Sequence, residues 1–213
     1  MKWIIWDWNG TLFDDAMVAV NALNDILARL GRPALTLEDY QRQMETPVIG
    51  FYQKIFDLHQ EPFEALSAEF IENYRRREDE AGLAPGARQC LTHFGQLGYG
   101  QAVVSSFEHA RLLGYIRRFG LQGYFRQVSG SGDIYGGGKL ERARLLLHDV
   151  GACAKDTLLI GDTLHDAEVA QALGASCVLI AAGHQRKEDL ARSGVLVLES
   201  LPHLIADGTP WEV

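Results

Sequence analysis

Two aspartates in this chain each close a short apolar run. Asp7 follows Trp3-Ile4-Ile5-Trp6, and Asp162 follows Leu158-Leu159-Ile160-Gly161. A short unbroken apolar run bounded by turn residues suits a strand buried on both faces. Both carboxylates are therefore expected at the carboxyl ends of strands, where open α/β sheets place their ligands. Two acids on neighbouring strand ends repel each other unless a cation bridges them. Mg²⁺, which takes a few protein oxygens together with waters and phosphate oxygens, suits such a pair. Gly10 permits a tight turn straight after Asp7, and Asp14 is placed to cap the helix that follows. The other use of Asp7 is to end a strand and cap a turn; this stretch alone leaves both open.

Lys139 follows Gly136-Gly137-Gly138 and opens a pattern with Leu140, Ala143, Leu147 and Val150 on one side. A cation in the first turn of a helix opposes the helix dipole, and glycines before it allow a close backbone approach. A residue set against its local electrostatics points to a site that meets an anion rather than to an ordinary exposed lysine. Ser105-Ser106 follows the apolar Ala102-Val103-Val104. Ser105 with Glu108 fits a capping box; hydroxyl and backbone N–H groups at a helix start equally form an anion site. Thr163 with Asp166 also fits a helix cap. His59, His109, His165 and His184 lack zinc spacing and are read as structural or surface residues, with His165 nearest the site.

The elements that must position these residues follow from periodicity. Ala16, Val20, Leu23, Leu27 and Leu30 form one helical stripe, ended by Gly31 and Pro33. Thr36 caps a second helix with Asp39 three residues on. Two more helices are expected over about 47–59 and 62–81, with no strand between Asp14 and Gly82. The charges of Arg75-Arg76-Arg77-Glu78-Asp79-Glu80 read as a solvated helix face. After Leu83-Ala84-Pro85-Gly86, strands at about 102–104, 124–129, 158–160, 177–180 and 195–198 alternate with helices. That alternation means right-handed crossovers and a parallel α/β sheet. The expected organisation is a Rossmann-like core from 1–13 and 83–213, interrupted by a helical segment at 14–82.

The stretch Asp7-Trp8-Asn9-Gly10-Thr11-Leu12-Phe13-Asp14 resembles the first motif of the haloacid dehalogenase superfamily, Asp-x-Asp-Gly-Thr-Leu-x-Asp. Ser105, Lys139 and Gly161-Asp162-Thr163-Leu164-His165-Asp166 stand where its second, third and fourth motifs fall. The resemblance is to the branch that includes phosphoglycolate phosphatases and β-phosphoglucomutases, in which a helical insert after the first strand is a cap. It implies Mg²⁺-dependent hydrolysis of a small phosphorylated metabolite through an aspartyl-phosphate on Asp7. It implies Mg²⁺ held by Asp7, the Asn9 main-chain carbonyl and Asp162, with Asp166 orienting the metal shell. It implies that Lys139, the Ser105 hydroxyl and backbone N–H groups near Trp8 and Ser106 bind the transferring oxygens. Asn9 departs from the motif: the usual Asp protonates the leaving group and later deprotonates water, and a carboxamide does neither. The alternatives are a slow hydrolase, one that takes good leaving groups, or a phosphate-binding pseudoenzyme; a carbon–halogen hydrolase would leave Asp162 and Asp166 without a purpose. Gln43, Thr46, Tyr52 and Lys54 are cap residues placed to reach substrate.

Composition narrows the partners. Net charge is −8 with no basic tract, which argues against nucleic acid, and no apolar run approaches membrane-spanning length. The N-terminus lacks a secretory leader pattern, so a cytoplasmic location is expected. Cys90, Cys153 and Cys177 are odd in number and far apart, and read as free thiols.

Overall fold

The computed structural model describes residues 1–132 and 138–206. Gly136 and Gly137 of the glycine run lie outside the described residues. Strand β1 (Trp3–Trp6) leads to a two-residue strand β2 (Phe13–Asp14). Four helices follow: α1 (Ala16–Arg29), α2 (Leu37–Gln43), α3 (Val48–Ile55) and α4 (Phe63–Arg77). Strand β3 (Gly82–Leu83) closes this segment. Then come α5 (Ala87–Gln96), β4 (Gly100–Glu108), α6 (His109–Arg118), β5 (Gln127–Ser131), α7 (Lys139–Asp149), β6 (Thr157–Gly161), α8 (Leu164–Leu173), β7 (Ser176–Ile180), α9 (Lys187–Leu190) and β8 (Leu196–Leu198).

Six strands form one parallel sheet in the order β5-β4-β1-β6-β7-β8. The first run is unbroken in apolarity because β1 is covered on both sides. Ile4 and Trp6 join the core that holds Val103, Leu158 and Ile160. Trp3 and Ile5 pack with Ala102, Val104 and Leu159 and with Leu146 and Val169 of α7 and α8. The one polar atom Trp6 carries inward is satisfied: its Nε1 donates to Gln101 Oε1 at 3.0 Å.

β2 and β3 pair antiparallel, Phe13 against Leu83 and Asp14 against Gly82, so the chain leaves and re-enters the sheet through one short ladder. Sequence periodicity misses this ladder because two-residue strands carry no alternation. Among the described residues no strand of the six-stranded sheet lies between Asp14 and Gly82. Buried apolar side chains of α1 to α4 belong to the same cluster as one face of the sheet.

Two capping expectations are corrected. Asp14 lies in β2 and is exposed, and α1 follows Asp15, whose side chain makes no cap bond. The Asp15 carboxylate is engaged elsewhere, as described below. Ser105 and Glu108 form no capping box, because β4 continues through Glu108. Ser105 Oγ instead accepts from Phe107 N at 3.0 Å, and Glu108 pairs with Arg75 at 3.2 Å. The caps at Thr36 and Thr163 are present, the latter as a full box with Asp166.

Candidate active site

The chain runs from β1 out to β4 and β5 on one side, then returns to β6 on the other. Asp7 and Asp162 end the two strands that flank this switch point, where a crevice opens outside an α/β sheet. The Asp7 N–H donates to the Ile160 carbonyl at 2.8 Å, which ties the first residue beyond β1 to its neighbour. Asp7, Asp162 and Asp166 are all buried, and one carboxylate oxygen from each lies within 4.8 Å of the others. Lys139, 5% exposed, donates from Nζ to Asp7 Oδ1 and, at 2.6 Å, to Asp166 Oδ1. Asp166 Oδ2 accepts from Thr163 Oγ1 at 2.7 Å and Thr163 N at 3.0 Å, so one carboxylate both caps α8 and holds the lysine.

Burial dominates the titration of these groups. It pushes Asp7 up to about 8, against the attraction of the Lys139 ammonium and with repulsion from Asp166 and Asp162 adding to it. Burial likewise lifts Asp162 to about 6. For Asp166 burial is overcome by Lys139, and its carboxyl is held below the usual range. Lys139 is held above its ordinary value: burial opposes its charge, but Asp166 and Asp7 win.

Asp162 is gripped by the loop after β7. Its Oδ2 accepts from His184 N at 2.6 Å and its Oδ1 from Thr11 Oγ1 at 3.2 Å. Gly10 has a φ of 70°, and a Cβ there would overlap Asp162 and His184; a Cβ on Gly183 would overlap Asp162 and the Gly10 carbonyl. Both glycines are required by close approach to the acid.

Asn9 faces a second carboxylate. Its Nδ2 donates to Asp15 Oδ2 at 2.7 Å and to Tyr74 OH at 3.3 Å; its Oδ1 lies 3.5 Å from Ser105 Oγ. Asp15 also accepts from Tyr74 OH at 2.6 Å and Gly10 N at 2.8 Å, and pairs with His184 Nε2 at 3.4 Å. The other His184 ring nitrogen meets Tyr40 OH at 2.8 Å. Burial opposes charge on this imidazole, but Asp15 and then Asp162 and Asp7 outweigh it and raise His184 to about 9. Burial of Asp15 is in turn outweighed by His184, and its carboxyl stays below the usual range.

The structure therefore brings together Asp7, Asn9, Ser105, Lys139, Asp162 and Asp166. Arg142 Nη2 reaches the Ser105 carbonyl at 3.1 Å. The Trp8 side chain belongs to the core, stacked on Phe13 at 5.5 Å. Ser106 is exposed. His165 pairs with Glu168 along α8 at 3.4 Å, while the histidine in the network is His184, contrary to the sequence reading. His184 had a signal: it follows Ala181-Ala182-Gly183 at the carboxyl end of another buried strand. Asp15 had less, being the second of two adjacent acids. Gln43 and Lys54 bond to Asp39 and Glu45 within the helical segment, and the contacts across to the site come from Tyr40, on His184, and Tyr74, on Asp15.

A divalent cation fits the donor set. Four buried carboxylates, Asp7, Asp15, Asp162 and Asp166, face one ammonium and one imidazolium, Lys139 and His184. With all four ionised two negative charges are left over; a cation would relieve the repulsion that helps raise Asp7, and the oxygen-only cluster matches the preference of Mg²⁺.

The profile of the haloacid dehalogenase-like hydrolases matches residues 4–180, and the chain belongs to that family. Among its relatives, phosphoglycolate phosphatase of Pseudomonas syringae pv. syringae is 27% identical over 96% of this chain and 78% of the relative. Phosphoglycolate phosphatase of Nitrosospira multiformis is 29% identical over 89% of this chain and 87% of the relative. The fold is shared with a haloacid dehalogenase-like hydrolase from Streptococcus pneumoniae, at a TM-score of 0.83 and 18% identity, covering 96% of this chain and 97% of that one. It is shared too with CbbY from Rhodobacter sphaeroides, solved with phosphate, at a TM-score of 0.73 and 19% identity, covering 96% of each chain. Among the described residues no helix is long and apolar enough to cross a membrane.

Proposed function

We propose that this chain is a Mg²⁺-dependent phosphatase acting on a small phosphorylated metabolite, through a phosphoryl group carried on Asp7. The observation that supports it most is Lys139, buried at the switch point and bonded to both Asp7 and Asp166. The relatives named phosphoglycolate phosphatase support the same class of substrate. A net charge of −8 speaks against nucleic acid, and the reading is of a cytoplasmic enzyme.

Asp7 and Asp162 side chains and the Asn9 carbonyl would hold the Mg²⁺, which supplies charge neutralisation at the phosphate oxygens. An Asp7 oxygen attacks phosphorus in line; the bond to the ester oxygen breaks, and the leaving oxygen departs with the bonding electron pair as an anion that takes its proton from water. Water then attacks the aspartyl-phosphate, releasing phosphate and restoring Asp7. Lys139 offsets negative charge on the transferring oxygens, aided by Ser105 Oγ and backbone N–H groups near Trp8 and Ser106. Asp166 aims the lysine. Residues 14–82 act as a cap whose Tyr40 and Tyr74 close the site against water.

Asn9 favours a second reading, a phosphate-binding protein with little turnover, because its amide donates to Asp15 and it has no proton to give a leaving group. General acid–base help is worth ~10²–10⁴-fold. The two readings separate on the leaving group. The wild type should hydrolyse nitrophenyl and acyl phosphates far faster than alkyl phosphates, and Asn9→Asp should help the alkyl esters most. Failure of both proteins on every ester with Mg²⁺ present favours the binding reading.

A further inference from the structure

The helical segment holds a cavity that the proposed chemistry does not use. Its volume is about 380 Å³, and its walls include Leu23, Tyr40, Phe51, Tyr52, Phe63 and Phe70. Protein interiors carry few voids larger than a water molecule, whereas small-molecule sites begin near 300 Å³. This one opens to solvent at Val48 and Ile49 and has the volume of a small-molecule site. It is also deep. Leu23, Tyr40, Phe51 and Tyr52 are each almost fully buried, while Val48 and Ile49, which also line it, are 39% and 41% exposed. The cavity runs from an apolar rim at the start of α3 to a floor beneath α1 and α2.

The walls are rigid and uncharged. Tyr40 and Phe51 meet edge to face at 5.4 Å, as do Tyr52 and Phe63 at 5.1 Å. Among the described residues no Asp, Glu, Lys, Arg or His lines the space. The Tyr40 hydroxyl is turned out of it, onto His184. The Tyr52 hydroxyl bonds Ser67. A charged ligand would lose its hydration here without a partner. An apolar one loses only the water that such walls hold poorly.

We infer that this cavity binds an uncharged apolar group of one or two rings. Tyr40 bonds His184, and His184 N bonds Asp162, so the pocket is linked to the carboxylate cluster through these two residues. Such a group is available either as the organic part of a phosphate ester or as a separate apolar molecule; the chemistry of recognition is the same.

The test uses the full chain and indole as probe, titrated by calorimetry without phosphate. Binding is read without turnover, so its failure is separate from any failure of the phosphatase reading. Saturable binding to the wild type is expected, weakened about tenfold or more by Ser67→Leu and by Ile71→Trp, each of which fills the cavity. Ile71 is only half-buried, so its variant keeps the test decisive if Ser67→Leu fails to fold. Both variants should leave hydrolysis of acetyl phosphate within about twofold, well below that loss. If the group belongs to the substrate, indole competes with 1-naphthyl phosphate and both variants raise the KM for that ester. If it is a separate molecule, indole alters acetyl phosphate hydrolysis and the KM for 1-naphthyl phosphate stays put. Either result upholds the site. Absence of saturable indole binding to the wild type, or equal affinity in the wild type and both variants, overturns it.

Discussion

The sheet side and the helical side of the candidate site meet at His184, and they are made of different interactions. On the sheet side every key group is charged and buried: Asp7, Asp162, Asp166 and Lys139 sit on strand ends and at the start of a helix. On the helical side the groups that reach the site are uncharged side chains and backbone, Tyr40, Gln41, Met44 and Tyr74. Gln41 Nε2 donates to the Gly183 carbonyl at 2.6 Å, Tyr40 OH meets His184 at 2.8 Å, and the Met44 carbonyl accepts from Gln185 Nε2 at 3.0 Å. Three consecutive residues after β7 thus carry much of the polar seam. Separating a neutral hydrogen-bonded pair costs about 1 kcal/mol when water replaces the partner, while stripping the partner from a buried charge costs about 3–5 kcal/mol. The charges stay fixed on the sheet side, and the proposed cap would part from it along this seam.

That contrast breaks first at Lys139. Lys139→Ala should lower turnover by roughly 10²–10³-fold, as loss of one charge-stabilising donor does. It should also lower stability by about 3–5 kcal/mol, because Asp7 and Asp166 are left buried without their counter-charge. Denaturant melts check the second effect; an unchanged midpoint would return Lys139 to a minor role.

His184 sharpens the comparison, since it is a charged group that both sides touch. Its ring faces Asp15 and Tyr40, its backbone holds Asp162, and Asp7 lies close enough to act on it. Its value is raised from 6.5 to about 9 in the folded chain. The protonated folded state is therefore favoured: this stabilisation is complete below pH 6.5 and is lost as pH rises through about 9. Between those limits the wild type should lose on the order of 3 kcal/mol more than His184→Gln. Parallel stability–pH curves for the two proteins would show that the imidazole carries no charge there.

The smallest effect belongs to the seam. Gln41→Ala removes one neutral bond and should cost about 1 kcal/mol or less. Amide exchange of residues 183–185 should nonetheless quicken. A loss as large as that of Lys139→Ala would erase the distinction between the two sides.

How far the sequence reaches follows the same division. Strand ends were legible because β1 and β6 are buried on both faces, and an unbroken apolar run ending in an acid carries its own position. Lys139 was legible because its placement contradicts the helix dipole. Asp15 and His184 were not, because their roles arise from packing between segments far apart in the chain: Tyr74 reaches Asp15 across 59 positions and Tyr40 reaches His184 across 144. Ser105 stays open in the sequence between a helix cap and an anion site, because periodicity cannot say how far β4 extends. Asp166 suits a helix cap in the sequence, and the resemblance implies support for a metal; its two oxygens divide between the Thr163 cap and Lys139.

The central claim is that Asp7 carries the phosphoryl group while Asn9 leaves the second step without a base. It is tested most directly by mixing the chain with acetyl phosphate and Mg²⁺, quenching with acid, and weighing the peptide that holds Asp7. The expected result is a phosphate-sized mass increase on that peptide in the wild type, less of it in Asn9→Asp as water attack speeds up, and none in Asp7→Asn. Hydrolysis of acetyl phosphate that persists in Asp7→Asn, with no adduct on Asp7 in the wild type, would contradict it.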